Sequence, residues 1–139
     1  MSAKIYRPSS NYQLTVSADV RVEQDGRVTS FWIDGEPLLL QLSSYLRESG
    51  DQIGARDRLR ARQDRHAGNW QDVESKICLN SSPDQASAEV VDDDGVVWLH
   101  TYLVWPHLAI YATISGPSNQ VRRDNWALDV LNTIEFVKQ

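Results

Sequence analysis

VVWLHTYLVW (96–105) and LAIYATIS (108–115), joined by Pro106-His107, decide how this chain folds. Both runs are rich in Val, Ile, Trp, Tyr and Thr, the residues that fit a pleated, half-buried surface. With Trp105 opposite Leu108, the register sets Leu103 against Ile110, Thr101 against Ala112 and Leu99 against Ile114, so one face is almost wholly aliphatic. The other face carries Trp98, His100, Tyr102 and Val104 opposite Ser115, Thr113, Tyr111 and Ala109. A one-residue slip in either strand would destroy this sorting, so the two strands vouch for each other as a hairpin. Pro-His lacks the Gly or Asn of a tight primed turn, and a loop one or two residues longer also fits.

Downstream, Gly116-Pro117 ends the second strand. A helix follows with the apolar stripe Val121, Ala127, Leu128, Val130, Leu131 and Ile134, capped by Ser118 or Asn119 or, starting later, by Asp124. It gives the aliphatic face something to bury against. Leu99, Leu103, Ile110, Ile114, Leu128 and Leu131 are therefore expected to form one buried cluster. Residues 135–138 are expected to close the chain as a short strand.

Upstream, 12–16 (YQLTV), 19–23 (DVRVE) and 28–33 (VTSFWI) read as short strands punctuated by Asp25-Gly26 and Asp34-Gly35. Segment 38–47 (LLLQLSSYLR) sorts Leu38, Leu40, Leu42 and Leu46 to one side and Leu39, Gln41, Ser43, Tyr45 and Arg47 to the other, which places it in the hairpin's sheet. Segment 51–67 reads as a helix capped by Ser49 and closed by Gly68-Asn69. Its inward stripe is Ala55, Leu59, Gln63 or Arg62, and His66, flanked by Arg56, Arg58, Arg60, Arg62 and Arg65. Segments 73–79 (VESKICL) and 86–92 (ASAEVVD) complete the expected strands before Asp93-Asp94-Gly95 turns into the hairpin. The expected fold class is α+β, a single domain over 1–139 with a largely antiparallel sheet and helices packed on it.

The order of these elements resembles the PsbP-like α/β/α sandwiches, which include a Ran-binding nuclear-import factor, photosystem subunits and bacterial adaptor chaperones of type VI secretion. The resemblance spans nearly the whole chain. It rests on the leucine-rich strand before the mid-chain helix, the later strand pair, and the closing run from ATISGP (112–117) through WALDVLNTI (126–134). It implies noncatalytic interaction roles and carries no catalytic residues with it.

Composition narrows the function classes. A formal charge of −5 argues against a nonspecific nucleic-acid binder, whose phosphate contacts need a basic footprint. No apolar run approaches the roughly 18 residues of a membrane span. Residues 1–10 lack the apolar core of a signal peptide, and the single cysteine, Cys78, fits a reducing compartment, so the expected place is the cytoplasm.

No motif dictates a chemistry, and no cofactor or metal is expected. His100 lies mid-strand and His107 in the turn, roughly 20 Å apart, too far to share an ion. Asp92-Asp93-Asp94-Gly95 lacks the spaced ligands of a calcium loop. Cys78, inside an expected strand, reads as a small buried hydrophobe rather than a nucleophile. Two surfaces remain: the aromatic face formed by Trp98, His100, Tyr102 and Tyr111 with Tyr45, and the arginine helix with Arg58 and Arg62. One reading is an adaptor that binds another protein through both. The other is a small-molecule cleft lined by the five aromatic-face residues, with His100 as proton carrier. Against both stands plain packing, in which the 51–67 helix covers the aromatic face as a second core layer.

Overall fold

In the computed structural model, which describes residues 2–137, the hairpin sits near the middle of a seven-stranded antiparallel sheet. In chain order the described strands are β1 (Ala3–Tyr6), β2 (Tyr12–Ser17), β3 (Val20–Asp25), β4 (Val28–Ile33), β5 (Leu39–Leu46), β6 (Gln71–Val73), β7 (Asp84–Val91), β8 (Val97–Val104), β9 (Leu108–Gly116) and β10 (Glu135–Phe136). The helices are α1 (Ala55–Arg65), α2 (Ser118–Val121) and α3 (Trp126–Leu131). The large sheet runs β3-β4-β5-β9-β8-β7-β6, and a small sheet runs β1-β2-β10. This is an α+β fold, with α1 on one face of the large sheet and α2, α3 and the small sheet on the other.

The β8–β9 register matches the sequence reading at every pair named, from Leu103↔Ile110 to Leu99↔Ile114. The connection is the two residues Pro106 and His107, closed by the Trp105 N–H donating to the Leu108 carbonyl at 2.8 Å. What stabilises a turn without Gly or Asn is Arg47, whose side chain is only 10% exposed. Its Nη1 donates to the Trp105 carbonyl at 2.6 Å, and its backbone N–H donates to the His107 carbonyl at 2.9 Å. Its Nη2 holds the carbonyls of Asp51 and Ile53, so one guanidinium ties the hairpin turn to the loop that delivers α1.

Several boundaries differ from the sequence expectation. Helix α1 begins at Ala55 rather than Asp51, and Ser49 does not cap it. Gly54 precedes it, and the Asp84 carboxylate accepts the Ala55 N–H at 2.8 Å. The C-terminal helix is broken in two. Asn125 caps α3, accepting the Leu128 N–H at 2.9 Å, where Ser118, Asn119 or Asp124 had been expected to serve. All six stripe residues are nevertheless buried. Strand β6 stops at Val73, and 74–79 continue outside the sheet, leaving Cys78 exposed rather than buried in a strand. Leu46 ends β5 beyond the core edge and is 66% exposed. Strand β1, paired antiparallel with β2, has too little apolar alternation to announce itself in the sequence. Of the expected closing strand, Glu135–Phe136 pairs with β2, while Lys138 lies outside the described residues.

Candidate functional site

The face of the large sheet toward α1 holds all the aromatic candidates, and α1 covers only part of it. The helix packs on β7 and β8, burying its own Ala55 and Leu59 against Ala86, Ala88, Tyr102, Val104 and Ala109. It is lightly apolar, so its remaining contacts are made by long polar side chains lying over the rings. Arg62 is the principal one. Its Nε donates to the Tyr102 hydroxyl at 3.0 Å and its guanidinium carbon lies 3.8 Å from the Tyr111 ring centroid, a cation–π geometry. Of the inward stripe expected for this helix, Ala55 and Leu59 are buried and Arg62 is half-buried, whereas His66 is exposed because the helix ends at Arg65.

Beyond the helix edge the rings continue. The Tyr102 and Tyr111 centroids are 4.8 Å apart, and the Tyr111 hydroxyl meets His100 Nδ1 at 2.5 Å. Trp70, which the sequence reading passed over, covers the other side of His100 at a centroid distance of 4.6 Å. It is brought there because its Nε1 donates back to the His66 carbonyl at 2.9 Å, folding the chain after α1 onto the sheet. Burial, then the charges of Arg62 and His66, hold His100 down from 6.5 to about 4. Burial likewise pushes the Tyr111 hydroxyl well above its ordinary value. At neutral pH both groups are uncharged, and His100 acts as a neutral hydrogen-bonding ring.

The seven candidate residues do not converge on one site. The Tyr102–Tyr111 row divides them between two clefts. One, of about 230 Å³, lies over Gln41, Ser43, Trp98, His100, Tyr111 and Thr113. Its lining is mostly apolar, Val28 with the rings of Trp98, His100 and Tyr111, while the Gln41 amide donates to Ser30 Oγ at 3.2 Å and the Trp98 Nε1 is turned to the Asp92 carboxylate at 3.0 Å. The other, of about 310 Å³, lies along α1 between Tyr45, Arg58, Arg62, Arg65 and Tyr102. Arg58 contributes less than its charge promises. Its Nη2 is engaged by the Asp51 carboxylate at 2.8 Å and its Nε by the Ile53 carbonyl at 3.2 Å. The Ile53 N–H, then Arg47 and Arg58, hold that carboxylate below its usual range. Packing thus accounts for Tyr102, half-covers His100 and Tyr111, and leaves Trp98 at the open end.

Among the described residues, no cluster of three or more His, Cys, Asp or Glu is arranged to hold a metal ion, and no helix is long and apolar enough to cross a membrane.

No family model matches the chain, and no curated protein matches it. A solved crystal structure from Bacteroides thetaiotaomicron VPI-5482 superposes on 99% of the chain with a TM-score of 0.65 and 14% sequence identity. The chain spans 48% of that structure's length. At that identity the likeness is one of fold.

Proposed function

We propose that this chain is a non-catalytic interaction domain that binds another protein through the uncovered part of the α1 face. The observation that carries the proposal is the half-covered sheet. Helix α1 packs on β7 and β8 and reaches β9 only at Ala109 and, through Arg62, at Tyr111, leaving Gln41, Ser43, Trp98, His100 and Thr113 around an open cleft. An apolar cleft walled by amphipathic rings is the composition of the centre of a protein-binding patch, where aromatic side chains supply most of the buried area. Arg62 and Arg65 add positive charge at the rim of the second cleft. The element order supports the same reading through the PsbP-like sandwiches, for which the resemblance implies noncatalytic interaction roles. An exposed free thiol at Cys78 suits a reducing cytoplasm.

The test compares baits in a native lysate. Wild-type protein should retain a partner that a Gln41→Arg, Thr113→Arg double variant loses, while Arg60→Ala on the outer side of α1 retains it. Recovery of no protein by wild type, or of the same protein by wild type and double variant, overturns the proposal.

A second reading, a small-molecule site, is favoured by the concavity of the cleft over Trp98 and His100. In that reading His100 orients the ligand as a neutral hydrogen-bonding ring. Burial lowers its basicity, which favours hydrogen bonding over proton transfer at neutral pH.

A further inference from the structure

Three departures from the sequence pattern meet at one place on the opposite face of the sheet. Strand β6 stops at Val73, the C-terminal helix is interrupted after Val121, and Leu99, in the middle of the aliphatic face, is only partly buried. Residues 74–79 form a strap over β7 and β8, fastened along its length. Ser75 Oγ donates to Gln85 Oε1, Gln85 Nε2 donates to the Ile77 carbonyl, and the Cys78 N–H donates to Asn132 Oδ1. Lys76 Nζ reaches the Arg122 carbonyl, at the break between α2 and α3, at 3.0 Å. Between strap, sheet and helices lies a cleft of about 260 Å³.

Its chemistry is layered. Ile77, Leu99, Val121 and Leu128 form apolar walls. Ser87 and Thr101, each 2% exposed, hydrogen-bond to each other at the floor. That bond uses one of two hydroxyl hydrogens and leaves the second to donate to another acceptor. At the rim, Arg122 Nε and Nη2 both donate to Glu89 Oε1, at 2.8 and 2.7 Å. The Glu89 side chain is 13% exposed, so a guest that broke this pair would leave a carboxylate desolvated and alone. Glu74 and Lys76 add one charge of each sign, and the lining charges cancel.

We infer that this cleft binds a small neutral molecule, mostly apolar, carrying one hydroxyl or carbonyl oxygen. The volume is sufficient, since an apolar cavity of about 150 Å³ already accepts benzene. The oxygen meets the floor hydroxyls, the apolar body replaces water against Leu99, and the closed ion pair excludes charged guests. The site lies across the sheet from the α1 face and stands whether or not that face binds a protein.

The test is methyl NMR of Leu99, Val121 and Leu128 during titration with four probes: phenol, toluene, benzoate and benzylammonium. Phenol should shift these methyls saturably, toluene should bind on the order of tenfold more weakly, and the two ions should leave them unmoved. Thr101→Val should erase the advantage of phenol over toluene. Leu99→Trp, which fills the cleft, should abolish phenol binding with far-ultraviolet circular dichroism and the cooperative melting transition retained. Arg122→Ala should admit benzylammonium to the unpaired Glu89. The inference is overturned if phenol at millimolar concentration leaves the wild-type methyls unmoved, or if benzoate binds as well as phenol. Undiminished phenol binding by folded Leu99→Trp, or an unaltered phenol preference in folded Thr101→Val, overturns it too.

Discussion

The two faces of β8 and β9 share strands, register and hydrogen bonds, yet they are covered in different ways. The aliphatic face is buried by residues from both ends of the chain, among them Tyr12, Leu14 and Val16 of β2 and Leu128, Val130 and Leu131 of α3, in one continuous cluster with Leu103, Ile110 and Ile114. The aromatic face is covered by a single lightly apolar helix and makes a much smaller cluster, in which Arg62 and tyrosine hydroxyls replace methyl groups. A register decides which side a residue faces. It does not decide how thoroughly that side is covered, and the loosely covered side is where polar groups and clefts collect.

The largest effect should come from the well-covered side. Leu103 is fully buried beside Ile110, and Leu103→Ala should cost about 3 to 5 kcal/mol, because its neighbours are held from several directions and cannot close the cavity. Urea denaturation beside wild type measures it. An unchanged midpoint would mean that the faces are wrongly assigned.

Next is the tie between the faces. Arg47→Met should cost about 3 kcal/mol, since it leaves the Trp105 and Asp51 carbonyls without their charged donor, while Ile53 and the Asp51 carboxylate keep Arg58. The damage should be one-sided. Native-state hydrogen exchange should rise across α1 and its loop while β9 amides stay protected, because α1 depends on this loop and the aliphatic cluster does not. Equal loss on both sides would show that the two clusters unfold as one unit.

Much of this contrast was legible in the sequence. Alternation in β8 could be checked against alternation in β9, and β5 repeated it, so three strands fixed the faces together. The C-terminal stripe survived a break in the helix because two short helices still turn five of its residues inward and the chain after α3 buries the sixth, Ile134. Other features were not legible, for physical reasons. In 73–79, Val73, Ser75, Ile77 and Leu79 alternate as in a strand, and an extended strap presents the same alternation without pairing its backbone. Leu46 has the phase of a core residue but lies past the edge of the layer that would cover it. Trp70 joins His100 through a bond to a backbone carbonyl, an acceptor present at every residue and thus invisible in the sequence.

The aromatic side should also reveal itself through pH. His100 is held at about 4 when folded, against 6.5 in an unperturbed chain. Between those values the unfolded chain binds a proton that the folded one refuses, so stability is full above about pH 6.5 and declines as pH falls toward 4. The decline should be about 2 to 3 kcal/mol, after allowance for partial exposure of the ring. Below pH 4 this group adds no further slope. Urea midpoints measured across that window should flatten in His100→Phe. A slope that persists in the variant would assign the titration elsewhere.

The smallest effect is the one that separates packing from binding. Trp98 lies on the same face as Tyr102 but past the edge of α1, half-buried, with its indole N–H on the Asp92 carboxylate of the neighbouring turn. A tryptophan sealed in a core would cost about 3 to 5 kcal/mol on truncation. Here the ring has solvent on one side and the lost hydrogen bond is exposed, so Trp98→Ala should cost about 1 kcal/mol. Asp92 keeps the Asp94 and Val96 N–H groups, so the turn around Gly95 should survive. A melting midpoint close to wild type, together with loss of any partner retained by the wild-type bait, is the result expected of an exposed binding residue. A loss as large as that of Leu103→Ala would instead show that the aromatic face is a second core layer to its end, and that the open cleft beside His100 is closed in solution.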